Sequence, residues 1–270
     1  SAFDASPIVK PVNYDAWRDG KPAWLAESFP TWHGAGGPLY NYRDYDKFVR
    51  AYLGTLLSVD DSVGRLYAAL KETGQLARTV IVFTSDNGFA LGEHGRVDKR
   101  TMYEESIRVP LLVRYPPLIP PGTVIEEMVL NLDLAPSVID LGGGKPLPNI
   151  DGRSWKPLLT GKTSGWRNSF LYFYNYEKEF PYTPNVRGLR TADWKYIHYP
   201  PGNGRPGRPP AELYHLAVDP LELRNLIDDP TAAQKLADLK REYGRLMRVH
   251  QAVPDYMPAD GGIINVLPKF

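Results

Sequence analysis

From Tyr45 to Thr73 apolar side chains recur at threes and fours, at Val49, Leu53, Leu56, Val63, Leu66 and Leu70. That period predicts an amphipathic helix, with Gly74 as its stop. Asp60 follows Leu56 by four, so it shares the apolar face and is expected to have a buried partner. Thr79–Thr84 (TVIVFT) is then an unbroken β-branched and aromatic run, expected to be a strand buried on both faces. A second run, Val109–Tyr115, follows a polar, glycine-rich loop. Pro116–Gly122 reads as a turn and Val124–Leu130 as a short strand. Asp133 stands as the N-cap, with Pro136 in the first turn, of a helix ending near Gly142. Helix, buried strand, loop, strand and helix in this order predict an α/β layered sheet.

The pattern changes after the loop GGGKPLPNIDG. Leu171–Tyr176, Val186–Thr191, Trp194–Tyr199 and Glu212–Leu216 are short aromatic-rich runs split by turns, which predicts a smaller antiparallel sheet. The segment PPGNGRPGRPP (200–210) reads as an exposed hairpin extension. Asp229-Pro230 opens a helix with Leu236, Leu239, Tyr243 and Leu246 on one face. The expected division is 1–165 for the layered part, 166–250 for the small sheet and its helix, and 251–270 for a tail. Residues 1–44 carry no sustained period and read as irregular structure packed on something else.

Composition narrows the function classes. A hydrophobic content of 43% and a formal charge of +1 describe an ordinary globular protein, not a polyanion binder, so no nucleic-acid partner is expected. No apolar run approaches the roughly 18 residues that a membrane span needs, so no membrane partner is expected. The N-terminus lacks both a basic region and an apolar core, so it does not read as a signal peptide. There is no cysteine, which removes disulfides, thiolate metal sites and cysteine nucleophiles together.

The chemistry concentrates in Thr84–Ser106, TSDNGFALGEHGRVDKRTMYEES. Asp86 and Asn87 stand at the end of the first apolar run, where ligands bind in open α/β sheets. Their oxygens are hard donors, suited to Ca²⁺ or Mg²⁺. A hairpin turn is the other reading of Asn87-Gly88, but FALGEHGRVDK does not alternate as a returning strand would. His94 lies in the loop as a polar group near the strand end, either facing substrate or merely exposed. Lys99 and Arg100 alone would read as a solvated pair. Beside a divalent metal they complete an oxyanion-binding site. His33, within PTWHGAGG, is a candidate for the substrate cleft.

VIVFTSDNGFALGEHGRVDKRTMYEESIRVPLLVRYP resembles the sulfatase family of the alkaline-phosphatase superfamily. The resemblance extends to LLSVDDSVGRLYAALKETG before it, and to NLDLAPSVIDLGG, IDGRSWKPLLTG and ELYHLAVDPLELRNL after it. EKEFPYTPNVRGLRTADWKYI is similar to glucosamine-6-sulfatase-like carbohydrate sulfatases. The resemblance implies an alkaline-phosphatase-like α/β/α sheet followed by the smaller antiparallel sheet with a C-terminal helix. It implies Asp86 and Asn87 as two calcium ligands, Lys99 as the lysine on the sulfate and leaving oxygen, and His94 in a loop that faces substrate. Glu104, Glu105 and Arg108 match patterned positions and are expected to form a structural ion-pair set. The implied reaction uses a formylglycine whose hydrate attacks sulfur. The implied substrate is a sulfated carbohydrate or an aryl sulfate, and the implied location is secreted or periplasmic.

Two parts of the family pattern are missing. The nucleophile motif, Cys or Ser-x-Pro-x-Arg, is only imitated by Ser28-Phe29-Pro30-Thr31-Trp32, where tryptophan replaces the arginine. The first two metal-ligating aspartates have no counterpart. The chain is therefore expected to be the C-terminal part of a sulfatase with an incomplete calcium site, inactive alone and prone to self-association. A phosphodiesterase or phosphonate hydrolase on the same scaffold is an alternative, because a metal with a lysine also suits phosphate. A non-catalytic carbohydrate-binding remnant is another. Asp60-Asp61, His198, His215 and His250 show no metal-ligand spacing.

Overall fold

The structure, a computed structural model, describes residues 7–18, 20–38, 45–200 and 211–265. The expected hairpin extension at 201–210 lies outside the described residues. The chain forms two compact units, residues 1–54, 87–108 and 169–270 in one and residues 55–86 and 109–168 in the other.

The first unit is built on an antiparallel sheet of β3 (Ser169–Tyr174), β4 (Val186–Thr191), β5 (Trp194–His198) and β6 (Glu212–His215), in that order. Alternation along the strands gives it two apolar faces. Leu189, Tyr196 and Leu213 face α5 (Ala233–Val249), which returns Leu239 and Leu246. Asp229 starts that helix as the sequence predicts, its carboxylate accepting from Thr231 N at 2.9 Å just before the first turn. Val186, Ile197 and Tyr214 point the other way, onto Met102, Tyr103, Trp24 and Leu25. Trp24 and Leu25 belong to the short helix α1 (Ala23–Ser28). Gly188 makes this packing possible, because a Cβ there would stand 2.1 Å from Met102 Sδ. The tail is docked as far as it is described: Asp255 holds Arg187, and Ile264 N donates to Pro181 O at 2.9 Å.

A polar network is sealed inside this unit. Lys195, fully buried, lies 2.8 Å from Glu104 and 2.7 Å from Glu222. Arg190 adds a second cation on Glu104 at 3.0 Å. Burial pushes the Glu104 carboxyl up, but Lys195 and Arg190 outweigh burial and hold it at about 2. Glu222, with one lysine and complete burial, is pushed up instead. Tyr103, Tyr199 and Tyr214 all donate to Glu212. Glu104 opens α3 (Glu104–Ile107), and the expected ion-pair role is seen for Glu104, whereas Glu105 accepts from Asn13 at 2.9 Å and lies 3.4 Å from His94 Nε2. Arg108 is exposed and has no ion pair among the described residues.

In the second unit β1 (Ile81–Thr84) pairs antiparallel with β2 (Leu111–Arg114). Val82 and Val113 pack on Trp155, Leu158 and Leu159, together with Leu141 of α4 (Leu134–Leu141). Asp133 does not cap that helix through its side chain. It accepts from Leu130 N and Arg153 N, both at 2.8 Å, and forms a two-pronged pair with Arg167. The expected strand at 124–130 does not form. The sequence reading differs most at the first strand, which is not buried on both faces. Phe83, opposite Val82 on the pleat, is 38% exposed, because the described sheet of this unit has two strands and only one covered face.

Helix α2 (Tyr45–Glu72) matches its predicted span, and Gly74 follows it with φ of 67°. Its C-terminal part does not bury its apolar stripe. Leu56, Val59 and Val63 are exposed, Leu66 reaches 68%, and Asp60 is exposed rather than buried with a partner.

These features generate three predictions. Lys195→Met leaves Glu222 buried without its ammonium partner and should destabilise the chain by about 3–5 kcal/mol. Because the folded Glu104 carboxyl lies below its unfolded value of 4.5, its contribution is complete above pH 4.5 and is lost as pH falls toward about 2. Denaturant melts should show both effects, and a Lys195→Met loss near zero would contradict the first. An exposed apolar stripe and an unpaired sheet edge favour association. Light scattering on the purified chain should therefore report a mass above the 30.4 kDa monomer. A monomer with one cooperative melt would contradict that.

Candidate active site

Residues 88–101 fold back on themselves. Ala90 N donates to Asp98 O and Gly92 N to Arg96 O, each at 2.8 Å. The loop also borders residues 33–35: Val97 N donates to His33 O at 3.0 Å and Ala35 N to Gly95 O at 2.8 Å. Its start is fixed at Gly88, whose N donates to Ser106 O. A Cβ at Gly88 would lie 2.1 Å from Glu105 O, so only glycine passes there.

The carboxylate of Asp98 is the centre of this loop. It is 1% exposed and lies 2.6 Å from Arg96, 3.0 Å from Arg100 and 3.3 Å from His33 Nδ1. Burial works to raise this carboxyl, but His33, Arg96 and Arg100 together hold it well below the usual range. Arg96 is itself buried and also donates to Thr183 at 3.0 Å. Arg100 Nε donates to Glu177 at 2.9 Å, and its guanidinium lies over the Phe180 ring at 4.8 Å. His33 packs against Phe180 and Tyr182. The four charges Arg96, Arg100, Asp98 and Glu177 cancel. Lys99 stands between two fixed neighbours, exposed, with no ion pair or hydrogen bond among the described residues. Among the described residues Lys99 is thus the loop's one lysine or arginine without a carboxylate partner.

His94 is placed differently from the expectation of a substrate-facing or exposed histidine. Its backbone is left-handed, with φ of 52°, which turns the ring inward onto Tyr103 at a centroid distance of 3.9 Å. It is 1% exposed, with Nε2 3.4 Å from Glu105 and 3.2 Å from Asn13 Nδ2. Asn13 in turn donates to Glu105 at 2.9 Å. His94, Glu105 and Glu222 bring potential metal-ligating atoms within 4.8 Å of one another. Lys195 already sits at 2.7 Å from Glu222, so that cluster has its own cation.

Lys99, Arg100 and His33 are therefore grouped around Asp98, while His94 belongs to a separate buried cluster. Asn87 lies in the same unit as these residues, and its Nδ2 donates to Gly88 O at 2.7 Å. Asp86 ends the strand segment of the other unit with an exposed side chain. Both offer hard oxygen donors, a chemistry that fits a divalent calcium or magnesium ion, though two donors are fewer than the roughly 6–8 that calcium takes. Ser28 of the imitation nucleophile motif is fully buried, its hydroxyl donating to Leu25 O at 3.0 Å. Sequence reasoning missed Asp98, Glu177, Asn13 and Glu222. An acid between two arginines, RVD-KR, was the available signal for Asp98; nothing local marks the others.

The family profile described as "N-sulphoglucosamine sulphohydrolase, C-terminal" matches residues 92–249, and the profile "Sulfatase" matches residues 14–144. An N-acetylglucosamine-6-O-sulfatase of Bacteroides thetaiotaomicron is 40% identical over 201 residues, covering 72% of this chain and 35% of that protein. A structure solved in complex with its substrate D-glucosamine-2-N,6-O-disulfate superposes with a TM-score of 0.81 at 27% identity, covering 93% of this chain and 62% of that one. A phosphonate monoester hydrolase from Silicibacter pomeroyi gives a TM-score of 0.75 at 27% identity, covering 90% of this chain and 50% of that one. The chain thus spans between 35% and 62% of the length of these relatives. Its fold is the alkaline-phosphatase-like α/β fold with a smaller antiparallel sheet and a C-terminal helix, as the sequence predicts. This chain belongs to the sulfatase family of the alkaline-phosphatase superfamily and carries its C-terminal portion.

Proposed function

We propose that the protein carrying this chain hydrolyses a sulfuric ester on a carbohydrate, with Lys99 on the sulfate and the leaving oxygen. The observation that carries this reading is the isolation of Lys99 as an exposed ammonium with no partner among the described residues, between Asp98 and Arg100, both fixed. A cation held ready without an internal partner is what a developing oxyanion requires. Asp86 and Asn87 would hold a hard divalent metal, for which calcium is the expected ion. When bound, that ion supplies charge stabilisation as a Lewis acid. Arg100 and His33 bind substrate. His94 acts through Glu105 and Tyr103, holding the loop rather than touching substrate. The nucleophile comes from outside the described residues of this chain. A secreted or periplasmic location suits a sulfated carbohydrate.

A phosphonate or phosphodiester hydrolase is the second reading, supported by the likeness to the phosphonate monoester hydrolase. One experiment addresses both. In the intact, metal-loaded protein, Lys99→Ala should lower kcat on a 6-O-sulfated glucosamine by roughly 10²–10³, because the leaving oxygen develops charge unassisted. The present chain alone should turn over no aryl sulfate, because it lacks the nucleophile. An unchanged kcat would contradict the role of Lys99. Turnover of phosphonate monoesters with no turnover of sulfate esters would favour the second reading.

A further inference from the structure

Position 88 admits only glycine, because a Cβ there would stand 2.1 Å from Glu105 O and 2.8 Å from Arg108 O. With Asn87 before it, the packing against α3 forces an Asn-Gly pair, one of two in the chain with Asn203-Gly204. Asparagine is a chemically labile residue. It is most labile before glycine, whose missing Cβ lets the backbone nitrogen come close to the side-chain amide carbon.

The reaction needs only base and water. Gly88 N gives up its proton and bonds to Asn87 Cγ, while the Cγ–Nδ2 bond breaks and Nδ2 leaves as ammonia. Water then opens the cyclic imide at either carbonyl, to give aspartate or isoaspartate. Both products place a carboxylate where the neutral amide stood, next in sequence to Asp86. Isoaspartate also lengthens the main chain by one methylene.

Half of the geometry for this step is already present. Asn87 Nδ2 donates to Gly88 O at 2.7 Å, so the side chain lies along the peptide unit that would attack it. The nucleophile is withheld. Gly88 N donates to Ser106 O at 2.9 Å, and while that bond stands base cannot take the proton. The acceptor is itself held in place. Ser106 is buried, its N donates to Tyr103 O at 2.9 Å, and its hydroxyl shares a 2.7 Å hydrogen bond with that of Thr101. Helix α3 thus imposes the labile pair through Glu105 O and restrains it through Ser106 O.

We propose that Asn87-Gly88 is a latent deamidation site, locked by the Ser106 carbonyl, which engages the one backbone nitrogen able to attack. Conversion then proceeds only through local opening of the loop from α3, and its rate reports that opening. The inference concerns the chemistry of the chain itself and stands whichever ester the protein hydrolyses.

Peptide mapping by mass spectrometry with isoaspartate detection tests it, on the intact protein incubated at mildly alkaline pH with and without denaturant. In denaturant Asn87 and Asn203 should convert at similar rates, which makes Asn203 an internal clock. In the folded protein Asn87 should convert at least about 100-fold more slowly than in denaturant. That slowing should be no smaller than the hydrogen-exchange protection of the Gly88 amide, because both need the same bond broken. Ser106→Gly removes the hydroxyl link to Thr101 and should speed both processes together. Equal Asn87 conversion in folded and denatured protein would overturn the lock, as would slow conversion beside a freely exchanging Gly88 amide. Faster Gly88 exchange in Ser106→Gly with unchanged Asn87 conversion would overturn it too. The first two comparisons use the unmutated protein, so they hold however the variant folds.

Discussion

The site depends on one buried carboxylate. Asp98 is enclosed at 1% exposure, where an uncompensated charge would cost several kcal/mol. It is retained because Arg96, Arg100 and His33 converge on it, and each is thereby fixed. Arg96 ties Asp98 to Thr183, and His33 ties it to the aromatic wall of Phe180 and Tyr182. The residue after Asp98 is the one that escapes this closure. Lys99 is exposed because its neighbours on both sides are committed, and its charge is not cancelled because theirs already are.

Around this centre the first unit uses a second polar cluster in place of a wholly apolar core. Lys195, Glu104, Glu222 and Arg190 close one group, and three tyrosines on Glu212 close another. Replacing such pairs by apolar residues often costs little stability, whereas breaking them is expensive, so their effect is to specify one arrangement. The arrangement they specify carries the loop of residues 88–101: Glu104 and Glu105 begin α3, which directly follows the loop, and Glu105 takes His94 and Asn13. The N-terminal segment is thus fastened to the loop through Asn13 and to the sheet face through Trp24 and Leu25.

Much of the fold was legible because periods survive in a single sequence. The four strands of the small sheet, α2, and α5 with its Asp229 start were read at nearly their observed bounds, since each depends on local alternation or capping. What the sequence misjudged depends on what covers a surface. TVIVFT carries the composition of a strand buried on both faces, yet Phe83 faces solvent; Leu56 and Leu66 form an apolar stripe that the described residues leave open. In the site, Lys99 and Arg100 were recognisable as cations, but not that one is neutralised and the other free. That distinction rests on Glu177, distant in sequence. His94 was read by its company in a glycine-rich loop, and its left-handed backbone, which sends the ring inward, has no sequence signature for histidine.

The central claim is that, among the described residues, Lys99 is the loop's one lysine or arginine without a carboxylate partner and Arg100 is already neutralised. Selective ¹⁵N labelling of lysine and arginine side chains in the intact protein, followed during titration with inorganic sulfate, tests it directly. The account predicts that the Lys99 ammonium resonance shifts with saturation while the Arg100 Nε resonance stays in place. A shift at Arg100 with Lys99 unmoved would contradict it.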